Sequence, residues 1–175
     1  MPPVITGYLL LLAFSPKGLI GAPLNAILGF TFAFNWTGAA LAAGVMAFPL
    51  MMRPIRLAFE LQDVELLESA KTLGANRWCT FLSVSLPLAF PGIIAGAVLG
   101  FAKALGEFGA TITFVSNIPG ETQTLALAIY SFLQSPSGDE AAITLVIIGI
   151  AISFLAILAS EVLASRMTRE KTIAR

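Results

Sequence analysis

Glu68–Pro87 reads ESAKTLGANRWCTFLSVSLP, a polar interruption in a chain of 175 residues that is 57% hydrophobic and only 11% charged. A soluble domain carries about 25% charged residues. There is too little charge here to wet a globular surface, so the class is an integral membrane protein. The quoted stretch then lies outside the bilayer between two segments inside it. The fold turns on which side it occupies and what it meets there.

Composition excludes several functions. Ten basic and ten acidic residues give a net charge of zero, with no basic stripe to neutralise phosphates, so nucleic acid is not a partner. There is no His, and Cys79 is the one cysteine. No intrachain disulfide can form, no metal site is expected, and Cys79 reads as a small, half-buried helix residue. The pattern G-x-x-x-x-G-K-[ST] is absent, so the chain cannot cradle nucleotide phosphates in the P-loop manner. No catalytic residues and no cofactor are assigned to it. The opening MPPVITGYLLLLAF lacks the basic region and cleavage site of a secretory signal.

Charges mark the spans. Uncharged gaps of 35, 25 and 20 residues separate Lys17 from Arg53, Arg77 from Lys103, and Glu140 from Glu161. A spanning helix needs about 20 apolar residues. The first gap is broken by Pro23, Asn25, Gly29 and Asn35, so Gly18–Asn35 reads as a loop or interfacial stretch. Phe30, Phe32, Phe34 and Trp36 suit an aromatic interface belt, or equally a short strand-like loop. Spans are predicted at 37–59, at 86–105 starting near Pro87, and at 141–163. The apolar run 4–14 covers about half a bilayer and reads as the tail of a longer helix. The whole of 1–175 is one transmembrane domain with a cytoplasmic loop at 60–85. Positive-inside counting puts Arg53, Arg56, Lys71, Arg77, Arg166, Arg169, Lys171 and Arg175 in the cytoplasm, leaving only Lys17 and Lys103 outward. The C-terminus is then cytoplasmic.

Within the loop, Val64–Ala75 reads as an amphipathic helix. Val64, Leu66, Leu67, Ala70, Leu73 and Gly74 share one half of the wheel, opposite Glu65, Glu68, Ser69 and Thr72. Asp63 suits the N-cap and Gly74 the stop. Surface-bound membrane helices are rich in Lys and Arg, and this one is mostly acidic, which favours a protein groove over lipid. The groove could belong to this chain or to a soluble partner.

Glu68-Ser69-Ala70, three residues, Gly74, nine residues, Val84-Ser85-Leu86-Pro87 resembles the EAA loop of ABC importer permeases. The family pattern is E-A-A, three residues, G, nine residues, I, one residue, L-P. Ser69 and Val84 are mild departures. The resemblance implies an all-α polytopic bundle of the type I importer kind, in a bacterial or archaeal cytoplasmic membrane. It also implies that Leu67, Glu68, Ser69, Ala70, Leu73, Gly74 and Ala75 form a coupling helix held in a cleft of a separate ATP-binding subunit. ATP and magnesium would be bound there and not by this chain. Ala104-Leu105-Gly106-Glu107-Phe108-Gly109-Ala110-Thr111-Ile112, with Asn117 through Thr124 (NIPGETQT), resembles the molybdate branch of the family. The sulfate or thiosulfate branch is the alternative, tungstate is a possible further cargo, and a non-transporting membrane scaffold is the rival from another class. The resemblance begins at the second family helix. It implies a permease homodimer and an extracytoplasmic molybdate-binding protein as partners.

Three further groups stand out. Gly92, Gly96 and Gly100 recur every fourth residue on one helix face and allow close helix packing, within one subunit or between two. Lys103 and Glu107, four apart, can pair across a turn, as a structural bridge or as part of a gate. Thr111, Thr113, Ser116 and Asn117 offer hydroxyl and amide donors that an oxyanion path needs, though helix ends commonly carry such residues. Asn117–Thr124 is an outward loop, and Leu125–Leu133 a short amphipathic or re-entrant helix.

Overall fold

The computed structural model describes residues 2–173, with side-chain surroundings through residue 163. Among the described residues every regular element is helical. The helices are α1 (Pro3–Phe14), α2 (Gly21–Leu28), α3 (Trp36–Glu60), α4 (Val64–Thr72), α5 (Arg77–Leu105), α6 (Gly109–Val115), α7 (Leu125–Leu133) and α8 (Asp139–Ile173). Three are long and apolar enough to cross a membrane: α3, α5, and α8 as far as Leu163. The basic tail residues Arg166, Arg169, Lys171 and Arg175 lie outside the residues whose side chains are described.

Two boundaries differ from the sequence reading. The stretch read as a loop, 18–35, contains α2. Pro23 falls in the first turn of that helix, where a missing N–H is harmless, and Gly29 (φ +61°) ends it. The second span starts at Arg77 and not near Pro87. Asn76 caps it by accepting from the Cys79 amide at 2.8 Å, and Cys79 is exposed rather than half-buried. A π-helical turn at Phe81–Ser85 carries the helix into Pro87. A regular α-turn would bring the proline ring against the carbonyl four residues back. The wider π turn opens the ladder at that place.

By packing, the chain forms two units. The first is Met1–Phe48 with Phe101–Phe154. Its core is built from small residues and one large ring: Ala33, Ala39, Ala42, Ala110, Phe114 and Val115. α1 lies on α6 at Gly7, where an added Cβ would sit 2.5 Å from the Ala110 carbonyl oxygen. Phe14 then reaches Phe32 edge-on at 5.4 Å and Phe114 at 6.4 Å. The aromatic alternation therefore splits. Phe32 turns inward, while Phe34 and Trp36 stay exposed.

The second unit is Pro49–Gly100 with Leu155–Arg175. Here the glycine face of α5 meets the last turns of α3. A Cβ at Gly92 would lie 2.3 Å from Ala58 Cβ, at Gly96 2.7 Å from the Met51 carbonyl oxygen, and at Gly100 2.2 Å from Met51 Cγ. The small-residue face thus packs within this chain. Without a hydrophobic drive between helices in lipid, such close van der Waals contact is what holds them together. Phe59 stacks on Phe81 at 6.1 Å. Gln62 Nε2 donates to the Ser85 carbonyl at 2.7 Å, tying the turn before α4 to the π segment.

Candidate functional site

α4 is fixed at both ends by its own sequence. Asp63 Oδ1 accepts from the Glu65 amide at 2.9 Å, satisfying one of the free donors of the first turn. At the other end Ala75 N donates to Ala70 O at 3.1 Å, and Gly74 N to Lys71 O at 3.0 Å. That pair is a Schellman stop, and Gly74 takes the left-handed conformation it requires (φ +88°). Among the described residues, a Cβ at Gly74 would meet nothing within 4 Å.

No residue of α4 is buried. Leu73 is 88% exposed, and Val64 and Leu66 are exposed too. Leu67, Ala70 and Ala75 are half-buried, and Glu68 and Ser69 face outward. The helix is therefore finished as a local structure while its apolar ridge is largely uncovered. Ser69 sends its hydroxyl back to the Glu65 carbonyl at 2.7 Å. Its side chain thereby consumes its own polarity, and serine adds little to the surface an alanine would offer. Burying Leu66 and Leu73 in a fitting groove would contribute about 1.5–3 kcal/mol each. Sequence reasoning missed Gln62, whose bond to Ser85 orients the approach to this helix. A lone amide between two helices carries no periodic signal that would have revealed it.

The residues read as a path fall in different surroundings. Glu107 is buried, 2% exposed. One carboxylate oxygen takes the Lys103 ammonium. The other accepts from the Ala110 amide at 3.0 Å. The side chain thus joins the end of α5 to the start of α6, doing more than the predicted ion pair. Thr111 is fully buried, and among the described residues its hydroxyl has no hydrogen-bond partner. Thr113 donates to the Gly109 carbonyl at 2.8 Å. Ser116 is exposed with φ +64°. Asn117 donates from Nδ2 to Ser131 Oγ at 2.5 Å and accepts from Gln123 Nε2 at 3.1 Å, pinning the loop onto α7.

Glu107→Gln should lower the thermal unfolding midpoint in detergent, with a loss of about 2 kcal/mol from an ion pair whose lysine is partly solvated. An unchanged midpoint would show that the junction does not depend on that charge.

The model of the family described as binding-protein-dependent transport system inner membrane component matches residues 1–169. The molybdenum transport system permease protein ModB of Escherichia coli K12 is 56% identical over 171 residues, covering 98% of this chain and 74% of that protein. ModB of Haemophilus influenzae is 51% identical over 170 residues, covering 97% and 74%. ModB of Mycobacterium tuberculosis is 38% identical over 158 residues, covering 90% and 59%.

Proposed function

We propose, because this chain belongs to the family of binding-protein-dependent transport system inner membrane components, that it is the membrane permease subunit of an ATP-driven molybdate importer. The multi-pass helical fold is that of a transport component, without covalent chemistry of its own. The observation that carries the coupling reading is α4: a capped nine-residue helix with no buried residue and an apolar edge at Leu66 and Leu73. It has the form of a plug whose socket is on another protein, here a separate ATP-binding subunit in the cytoplasm. Leu67, Glu68, Ser69, Ala70, Leu73, Gly74 and Ala75 would make that contact, and Gly74 leaves room for close backbone approach. Two permease copies would enclose the path. The C-terminus would be cytoplasmic, and the loop 117–124 would face an external molybdate-binding protein. Closure of the ATPase pair would move the two coupling helices and turn the spans from inward-open to outward-open.

Molybdate as cargo is supported by the relatives' names and by the motif at 104–112 with 117–124. The test is a complex reconstituted in proteoliposomes with its ATPase and binding protein. ATP hydrolysis should rise when the binding protein is loaded with molybdate and not with sulfate. Stimulation by the sulfate-loaded form alone would move the assignment to the sulfate branch.

A further inference from the structure

Phe34, Asn35, Trp36, Gly120 and Glu121 line one open pocket in the first unit. Phe34 is a bulky residue in a left-handed conformation (φ +57°), which such side chains rarely adopt. Phe34 is 54% exposed and Trp36 68%, so the backbone is held in an uncommon state while both residues remain outside the core. The wall that carries them is fixed: Asn35 Oδ1 accepts from the Thr37 amide at 3.2 Å, and the Asn35 carbonyl from Gly38 N at 2.9 Å. The facing wall is fixed as well. Gly120 turns the chain at φ +80°. The buried Thr122 hydroxyl accepts from Ile118 N at 2.9 Å and donates to the Ser116 carbonyl at 3.2 Å. Glu121, between them, is exposed, and among the described residues its carboxylate has no ion-pair partner.

Two aromatic rings and one free carboxylate around a cleft form a receptor for an organic cation, through the ring quadrupoles and the charge. We propose that this pocket seats an Arg or Lys side chain of the external binding protein. The inference rests on the importer reading above and on the outward placement of the α3 N-terminus. A planar guanidinium fits best, because it can stack on an aromatic face while bonding a carboxylate. A lipid amine fits worse, since it arrives beside a phosphate that Glu121 repels. A metal ion would need more oxygen ligands than one carboxylate supplies.

The test titrates the reconstituted complex with molybdate-loaded binding protein. Glu121→Gln and Trp36→Ala should each raise Kd about tenfold, with ATP hydrolysis in the absence of binding protein unchanged. Glu121→Gln should also flatten the salt dependence of binding, an effect that mere loss of loop packing would not produce. Unchanged Kd and salt slope in both variants, beside a wild type that binds, would overturn the pocket assignment alone. A wild-type complex that fails to bind would overturn the importer reading together with it. Trp36 emission in a Trp78→Phe protein that is quenched by brominated lipid, and stays so when the binding protein is added, would reduce Trp36 to an interface anchor and sink the proposal.

Discussion

Leu73→Asp is expected to leave this chain folded in the membrane and to abolish its recovery with the ATP-binding subunit. The two halves of that expectation have separate causes. Leu73 is 88% exposed, so within the chain the aspartate gains water and disturbs no packing. Against a partner the same change removes about 2 kcal/mol of apolar burial and places a carboxylate in an apolar cleft, at a further cost of several kcal/mol, of order 4 in all. A deficit of about 4 kcal/mol is roughly a thousandfold in affinity, and the proposed permease homodimer would present the defect twice. Co-purification from detergent and ATPase stimulation would read the loss, and an unchanged unfolding midpoint of the isolated chain would show the fold is intact. Recovery of the variant complex at wild-type yield would end the reading of α4 as the coupling element.

Gly96→Val should strike the fold itself. The first added carbon would lie 2.7 Å from the Met51 carbonyl oxygen and 2.8 Å from Ile55 Cγ1. A backbone oxygen cannot rotate away, so α3 and α5 must separate. Overpacking of this kind costs about 1–3 kcal/mol, and a β-branched residue at such a tight crossing belongs at the upper end. The expected result is poor accumulation and a lower unfolding midpoint in detergent. Gly44→Ala is the matched comparison: a Cβ there meets nothing within 4 Å among the described residues, and the midpoint should stay put. Equal midpoints for the two variants would contradict the close helix crossing.

Much of the architecture was legible because lipid imposes long uncharged runs, and charges punctuate them. The ends of α4 were legible for a local reason: Asp63 and Gly74 act on backbone groups within a few residues of themselves. The pairing of Lys103 with Glu107 followed from helical spacing. The second bond of Glu107, to the Ala110 amide, did not, because it exists only after the turn at 106–108 has brought α6 back. The start of α5 was hidden by Arg77, Ser83 and Ser85, polar residues that interrupt an apolar pattern without interrupting a helix. α2 was hidden by Pro23 and Gly29, read as breakers although one falls in the helix's opening turn and the other is its terminator. Asn117 shows the limit for site residues. A donor amide looks the same in a sequence whatever it bonds, and only the structure shows Asn117 bonded to Ser131 and Gln123.

The π turn at Phe81–Ser85 sets an angle. Each residue added to a helix advances it by about 100°, and a π turn holds one residue more than an α turn. The azimuth of residues 77–80, relative to the Gly92–Gly100 face, therefore includes that single surplus residue. Deleting one residue from 81–85 would swing residues 77–80 about a quarter of a rotation while leaving every side chain of α4 unchanged. On the proposed coupling role of α4, a drive shaft with an intact key and a shifted keyway would transmit nothing, and the timing of the machine would reside in these five residues of modest chemistry as much as in the ridge they aim.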